Sequence, residues 1–237
     1  MILIYYFIEF DKMASTEEKS DNIPPIGHEA HPNIEVLDTE CVLIRNALTF
    51  EEQVRLCEYI EKRDKTPTNQ PQAMVPAPKT LVLGENGHPQ VQYKFGDVSV
   101  VNAMIEKSSE ILKQKQLNLM SGFDVCQYKS LSMATIRYEA PDGCFPPHVD
   151  HCNDSFVFLT SLGRTANFMI KGPSMDIKKD FKFYSGDVLV FDASTKAGLL
   201  HSVVSIDNSA SKVGDALASK FPVLYKHRLG VQCRMFF

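Results

Sequence analysis

In the segment FPPHVDHC, His148 and Asp150 stand two residues apart. Positions i and i+2 of an extended strand share a face, so both side chains reach one ion at little ordering cost. His201, in LLHSVV, follows 53 residues after His148 and offers a third donor if the two segments come together. Two imidazoles and one carboxylate on one face of an octahedron leave three positions open, the ligand pattern of non-haem iron(II) oxygenases. Zinc, nickel and manganese accept the same donors. An HxD pair arises by chance in many chains, and a lone histidine is more often a core residue than a ligand. The metal reading therefore needs a second feature.

The chain ends in HRLGVQCRMFF, where Arg228 and Arg234 are six residues apart. An even spacing on a strand points both to one face; Leu229, Val231 and Cys233 make the other face apolar. Guanidinium groups turned into a protein interior are costly unless anions pair with them. Planar, bidentate pairing with carboxylates is what arginine does best. A 2-oxo dicarboxylate suits the pair, one end chelating the metal and the distal carboxylate resting on a cation. The bland alternative is an exposed edge strand with both arginines in water.

These residues need a scaffold. Met13–Asn33 is polar and proline-containing, and residues 1–33 read as a flexible extension, leaving one domain over 34–237. Ile34–Ile44 turns apolar and reads as a strand. Thr49 and Glu52 have capping-box spacing ahead of a helical stripe (Val54, Leu56, Cys57, Ile60) that Pro67 ends. Residues 66–96 are rich in proline and glycine, with TLVLG (Thr80–Gly84) as a short strand, and read as a lid or binding loop. A second helix is expected from Asp97 to about Gln116. Short strands follow at Met133–Glu139, Pro147–His151, Phe156–Leu162, Ala166–Lys171, Phe181–Tyr184, Val188–Phe191, Leu200–Ile206 and Arg228–Phe236, separated by turn signals. Asp207–Lys220 reads as a polar surface loop. The expected class is α+β and β-rich: a double-stranded β-helix (jelly roll) core over about 120–237, with N-terminal helices packed outside.

The order HxD, a distal His, then RxxxxxR resembles the AlkB-like family of iron(II)/2-oxoglutarate dioxygenases. The matching residues are His148, Asp150, His201, Arg228 and Arg234. IRYEAPDG (Ile136–Gly143) resembles the family segment whose tyrosine contacts the co-substrate, which would be Tyr138; SGDVLVFD (Ser185–Asp192) resembles the turn and strand before the distal His. The resemblance covers roughly residues 120–237. It implies Fe(2+), 2-oxoglutarate and O2 as cofactor and co-substrates, Arg228 on the distal carboxylate, and Arg234 nearer the metal steadying the other carboxylate. It also implies oxidative N-demethylation of methylated nucleic-acid bases, gripped by a lid to which Tyr93 and Phe95 would belong, with Lys79 and Lys94 beside them. The chain departs from the repair members of that family at Ile136 and Gly230, where they carry Asn, and at Cys152, where they carry a second Asp. A protein or small-molecule hydroxylase on the same scaffold is the second reading, and a non-catalytic binding module the third.

Bulk properties narrow the field. With 237 residues and 44% apolar side chains, a core forms without staples. Six cysteines without a CxxC pair read as free thiols in a reducing compartment, giving an expected location in the cytoplasm or nucleus. The net charge of −4 argues against a strongly basic nucleic-acid coating protein; any contact with nucleic acid would be short, to a single strand or a flipped base. Met1–Phe10 is apolar but far short of the ~20 residues that span a bilayer, and Met13 is an alternative start. A monomer away from membranes is expected.

Overall fold

The structure is a computed structural model that describes residues 32–65, 82–83, 89–90, 99–114, 128, 130–152 and 155–237. Its strands are β1 (Asn33–Asp38), β2 (Cys41–Arg45), β3 (Val82–Leu83), β4 (Pro89–Gln90), β5 (Ser130–Glu139), β6 (Phe145–Val149), β7 (Ser155–Lys171), β8 (Lys179–Phe183), β9 (Val188–Asp192), β10 (Leu200–Ala210) and β11 (His227–Phe236). Three α-helices accompany them: α1 (Phe50–Lys65), α2 (Ser99–Gln114) and α3 (Lys212–Lys220). The described chain is thus β-rich and antiparallel, with helices at its side. Among the described residues no helix is long and apolar enough to cross a membrane.

The long strand β7 organises the molecule. Its first half pairs with β9 and β11, its second half with β10 and β8. One sheet therefore runs β1-β2-β9-β7-β11-β5 and the other β8-β7-β10-β6. The sequence expectation split this segment into Phe156–Leu162 and Ala166–Lys171, because Gly163 and Arg164 look like a turn. The strand instead passes through them. Gly163 takes φ 82°, open to glycine without strain, and a side chain there would meet the His227 carbonyl oxygen at 2.9 Å. Both faces of β7 are covered, so burial runs along it almost without a break rather than alternating, and takes in polar Ser155, Thr160, Ser161 and Thr165.

Two apolar layers result. Phe156, Phe158, Val231, Cys233 and Met235 pack under α1, α2 and α3 through Leu56, Ile60, Val101, Ile105 and Leu217. Val157, Phe168, Ile170, Phe183, Leu189, Phe191 and Val203 fill the space between the sheets. The β1–β2 hairpin belongs to the first sheet through β2–β9 pairing, so the sheet recruits residues well before position 120.

Three local expectations change. The Asp207–Lys220 loop is the end of β10 plus α3: the Ser211 hydroxyl caps the helix by accepting from the Gly214 amide, and Leu217 and Ala218 are buried. That stripe is too short to stand out from its polar neighbours. Strand β6 starts and ends earlier than Pro147–His151, so Asp150 immediately follows it. Ile34–Ile44 is most of a hairpin rather than one strand.

The capping box of α1 forms. The Glu52 amide donates to the Thr49 hydroxyl (3.2 Å), and the Thr49 amide donates to the Glu52 carboxylate (2.7 Å). That carboxylate also pairs with Lys107 of α2 at 2.6 Å, and these partners hold it below the usual carboxylate range against the opposing effect of burial, the largest single influence. Thr49→Ala is expected to cost about 1 kcal/mol and to lower the melting temperature by roughly 2–4 °C, read by calorimetry.

Candidate metal centre

His148 and His201 meet because β6 and β10 pair antiparallel with these two residues opposite each other. Asp150 follows two residues after His148 and turns back toward both rings. Its carboxylate lies 3.9 Å from His148 Nε2 and 4.0 Å from His201 Nε2. One donor atom from each of the three residues falls within 4.8 Å of the other two.

The rings are oriented for ligation. His148 Nδ1 is 2.9 Å from the Pro146 carbonyl oxygen, and His201 Nδ1 is 3.1 Å from that of Leu199. A carbonyl only accepts, so each Nδ1 carries the proton and each Nε2 keeps a lone pair facing Asp150. Burial, against the pull of Asp150, depresses the His201 pKa to about 4, so this imidazole is neutral at ordinary pH. Phe191 packs on it at 4.9 Å and Phe168 stacks at 6.4 Å. Phe145 flanks His148 at 4.6 Å. Two imidazoles and a carboxylate held this way suit a divalent iron ion, and the donor set fits the group the motif implies.

Arg234 sits at the same end. Its Nη2 is 2.7 Å from Asp150 Oδ2 and its Nη1 is 2.6 Å from Cys152 Sγ. The resemblance implied contact with the co-substrate; here both terminal nitrogens are engaged by protein groups, while Nε is buried without a partner among the described residues. The guanidinium thus braces the carboxylate of the triad through Oδ2, the oxygen that lies 4.0 Å from His201 Nε2.

Arg228 lies three inner-face positions up the strand from Arg234, past Gln232 and Gly230, and is 1% exposed. Its Nε donates to Ser161 Oγ at 2.9 Å, and its guanidinium carbon lies 5.2 Å from the ring centre of Tyr138 and 5.3 Å from that of Phe183. Nη2 is buried with no partner, and no carboxylate pairs with the group among the described residues. Burial lowers its pKa to about 10, opposed by Tyr138, which still leaves it charged at neutral pH. An uncompensated buried cation is destabilising unless an anion arrives. Tyr138 is buried at the inner end of β5, opposite Arg228, and burial raises its pKa.

Gly230 explains how the guanidinium fits. A Cβ at this position would lie 2.8 Å from Arg228 Nη1 and 3.4 Å from its Cζ. The arginine lies flat in space that any other residue would fill. Gly230→Ala is expected to displace it and weaken 2-oxoglutarate binding about tenfold, in keeping with the sensitivity of site geometry to shifts of about 1 Å; titration of the co-substrate reads the change.

His148, Asp150 and His201 thus converge, and Arg228, Arg234 and Tyr138 line the same inner face. Tyr93 and Phe95, with Lys79 and Lys94, lie outside the described residues. Sequence reasoning passed over Ser161, Phe183 and Gln232. A serine inside the apolar run FVFLTSLG was the available signal for the first.

No protein-family model matches the chain, and no curated protein matches it. Among solved structures, OsALKBH1 is similar, with 22% identity and a TM-score of 0.56 over 85% of this chain and 99% of that one. A Pseudomonas putida prolyl-4-hydroxylase has 12% identity and a TM-score of 0.46, over 83% of this chain and 92% of that one. A 2OG-Fe(II) oxygenase family oxidoreductase from Burkholderia pseudomallei has 13% identity and a TM-score of 0.45, over 84% and 86%. The likeness to OsALKBH1 is one of fold.

Proposed function

We propose that this chain is an iron(II)- and 2-oxoglutarate-dependent dioxygenase that oxidatively removes N-methyl groups from nucleic-acid bases. The observation that carries the proposal is the pairing of a His-Asp-His cluster with a fully buried arginine on the same inner face whose Nη2 has no partner and which no carboxylate matches among the described residues. Either feature alone has ordinary explanations; together they match a ligand that is a chelator at one end and a carboxylate at the other.

In this reading His148, Asp150 and His201 hold the metal, with Nε2 as the donor of each histidine. Arg234 keeps the Asp150 carboxylate aimed. Arg228, preset by Ser161 and by the rings of Tyr138 and Phe183, receives the distal carboxylate of 2-oxoglutarate and loses its unpaired state. The apolar layer of Phe168, Leu189 and Phe191 keeps water from the pocket, which strengthens that ion pair. When bound, iron and 2-oxoglutarate supply the oxidising chemistry: O2 is consumed, 2-oxoglutarate becomes succinate and CO2, and a substrate C–H bond becomes C–OH, an N-methyl carbon then leaving as formaldehyde.

The two sheets that share β7 are read as a double-stranded β-helix (jelly roll), with 34–237 as the oxygenase domain. The fold likeness to OsALKBH1 and the RxxxxxR ending support the nucleic-acid reading over a protein or small-molecule hydroxylase. The test is succinate and formaldehyde release with iron(II) against a panel of methylated DNA and RNA oligonucleotides. Formaldehyde release with at least one of them is the expected result. Succinate formation that no oligonucleotide stimulates would move the substrate to another class, and no uptake of iron or 2-oxoglutarate would remove the oxygenase reading.

A further inference from the structure

Ser155 opens β7 at the triad end of the molecule. Phe156 and Phe158 pack under the helices, whereas Val157 lies in the layer between the sheets. The period of two therefore sends Ser155 to the same inner face as Val157. Val157 stands opposite Arg234 of β11, and Ser155 opposite Phe236, so Ser155 is a diagonal neighbour of Arg234 on that face. A second route joins the same two residues. The Cys152 amide donates to the Ala193 carbonyl oxygen and the Ala193 amide donates to the Ser155 carbonyl oxygen, while Cys152 Sγ accepts from Arg234 Nη1.

Each of these two residues holds a polar atom that no protein group satisfies. Ser155 is 0% exposed, and its Oγ is buried without a hydrogen-bond partner among the described residues. Arg234 Nε is buried and unpartnered in the same way, although both terminal nitrogens of that guanidinium are engaged. Val157, Phe191 and Ala193 make up the surrounding inner face and offer no polar side chain. Leaving a buried donor unpaired costs about 1–3 kcal/mol, and protein interiors meet such groups with ordered water. The hydroxyl and Nε do not bond each other, and one water is the smallest group that satisfies both.

We propose that Ser155 is a positioning residue of the metal centre: its hydroxyl and Arg234 Nε share one buried water, which fixes the guanidinium that holds Asp150 Oδ2 at 2.7 Å. The proposal rests on the metal reading above. The guanidinium is a rigid planar fork. With Nε tied as well as Nη1 and Nη2, all three of its nitrogens are held, and so is the direction in which Asp150 presents its oxygens to the two histidines. Ser155 touches neither metal nor substrate and acts through Arg234, as outer partners of a ligand do.

The test is a double-mutant cycle on Co2+ affinity. The full chain is titrated anaerobically and the cobalt absorption bands are followed, with the melting temperature of the metal-free protein measured in parallel. Ser155→Ala is expected to weaken Co2+ binding about three- to tenfold, less than the roughly 10–100-fold typical of a ligand's direct partner, because Ser155 acts one step further out. Its metal-free melting temperature should stay within roughly 2 °C of wild type, since the hydroxyl has no protein partner to lose. Ser155→Cys keeps the volume but is a weak hydrogen-bonding group, and the same loss is expected. Arg234→Lys keeps the charge and removes Nε; in that background Ser155→Ala should change Co2+ affinity by less than about twofold. Wild-type affinity in Ser155→Ala or in Ser155→Cys would overturn the proposal. Equal losses in both backgrounds would make Ser155 a packing residue and overturn it too. A wild-type chain that takes up no Co2+ would instead remove the metal centre itself, and the oxygenase reading with it.

Discussion

Arg228→Met should weaken 2-oxoglutarate binding at least about a hundredfold and, without the co-substrate, raise the melting temperature of the protein. The two effects have one cause. In the free protein the guanidinium is buried, bonded through Nε to Ser161 and also held by the Tyr138 side chain, with Nη2 unpaired and no carboxylate matching it among the described residues. Replacing a buried charge by an apolar side chain of similar length is often neutral or stabilising by roughly 1–4 kcal/mol; the groups left behind here are the hydroxyls of Tyr138 and Ser161, the second of which still lies 3.4 Å from the Phe183 carbonyl. With ligand the balance reverses. Losing one partner of a buried charge pair costs about 2–5 kcal/mol of affinity. Wild-type protein should therefore gain about 2.7 kcal/mol from 2-oxoglutarate at a hundred times its dissociation constant, and the variant almost nothing. Thermal melts with and without 2-oxoglutarate measure both. A variant that melts below wild type and still responds to 2-oxoglutarate would show that Arg228 is a structural cation.

Asp150→Ala should abolish metal binding and, with it, iron-dependent succinate formation. The carboxylate is the anionic member of the triad, and it is also the partner of Arg234 at 2.7 Å. Its removal takes a ligand from the ion and leaves a cation in its place, so the remaining histidines face a positive group. Loss of a supporting partner alone typically costs 10–100-fold in metal affinity; loss of a ligand together with its charge should exceed that. Asp150→Asn tests the charge separately, because it keeps the shape and an oxygen donor. Metal content after dialysis, followed by restoration with iron(II), gives the readout. Retention of metal by Asp150→Ala would place the binding site elsewhere.

The same strands show why some of this was readable beforehand. His148 and Asp150 could be assigned together because a two-residue spacing needs only local extended backbone. Arg228 and Arg234 could be assigned to one face for the same reason, and the apolar Leu229, Val231 and Cys233 marked the other. The capping box at Thr49 and Glu52 is likewise a matter of four consecutive residues. Helix α3 escaped because its buried stripe is little more than Leu217 and Ala218 in a polar segment. The continuity of β7 escaped because Gly163 reads as a turn wherever its neighbours are ignored; the packing of His227 and Leu224 against it holds it in a strand.

By itself the sequence determined the donor types, their order, and the alternation that puts each on an inner or outer face, because these depend on side-chain chemistry and on a backbone period of two. Tertiary structure decided the rest. It set His201 opposite His148 through β6–β10 register, turned Arg234 onto Asp150, and buried Arg228 beside Ser161, Tyr138 and Phe183 with one nitrogen unmatched. Those outcomes rest on pairing between strands far apart in the chain, where a slip of one residue would send every one of these side chains to the other face.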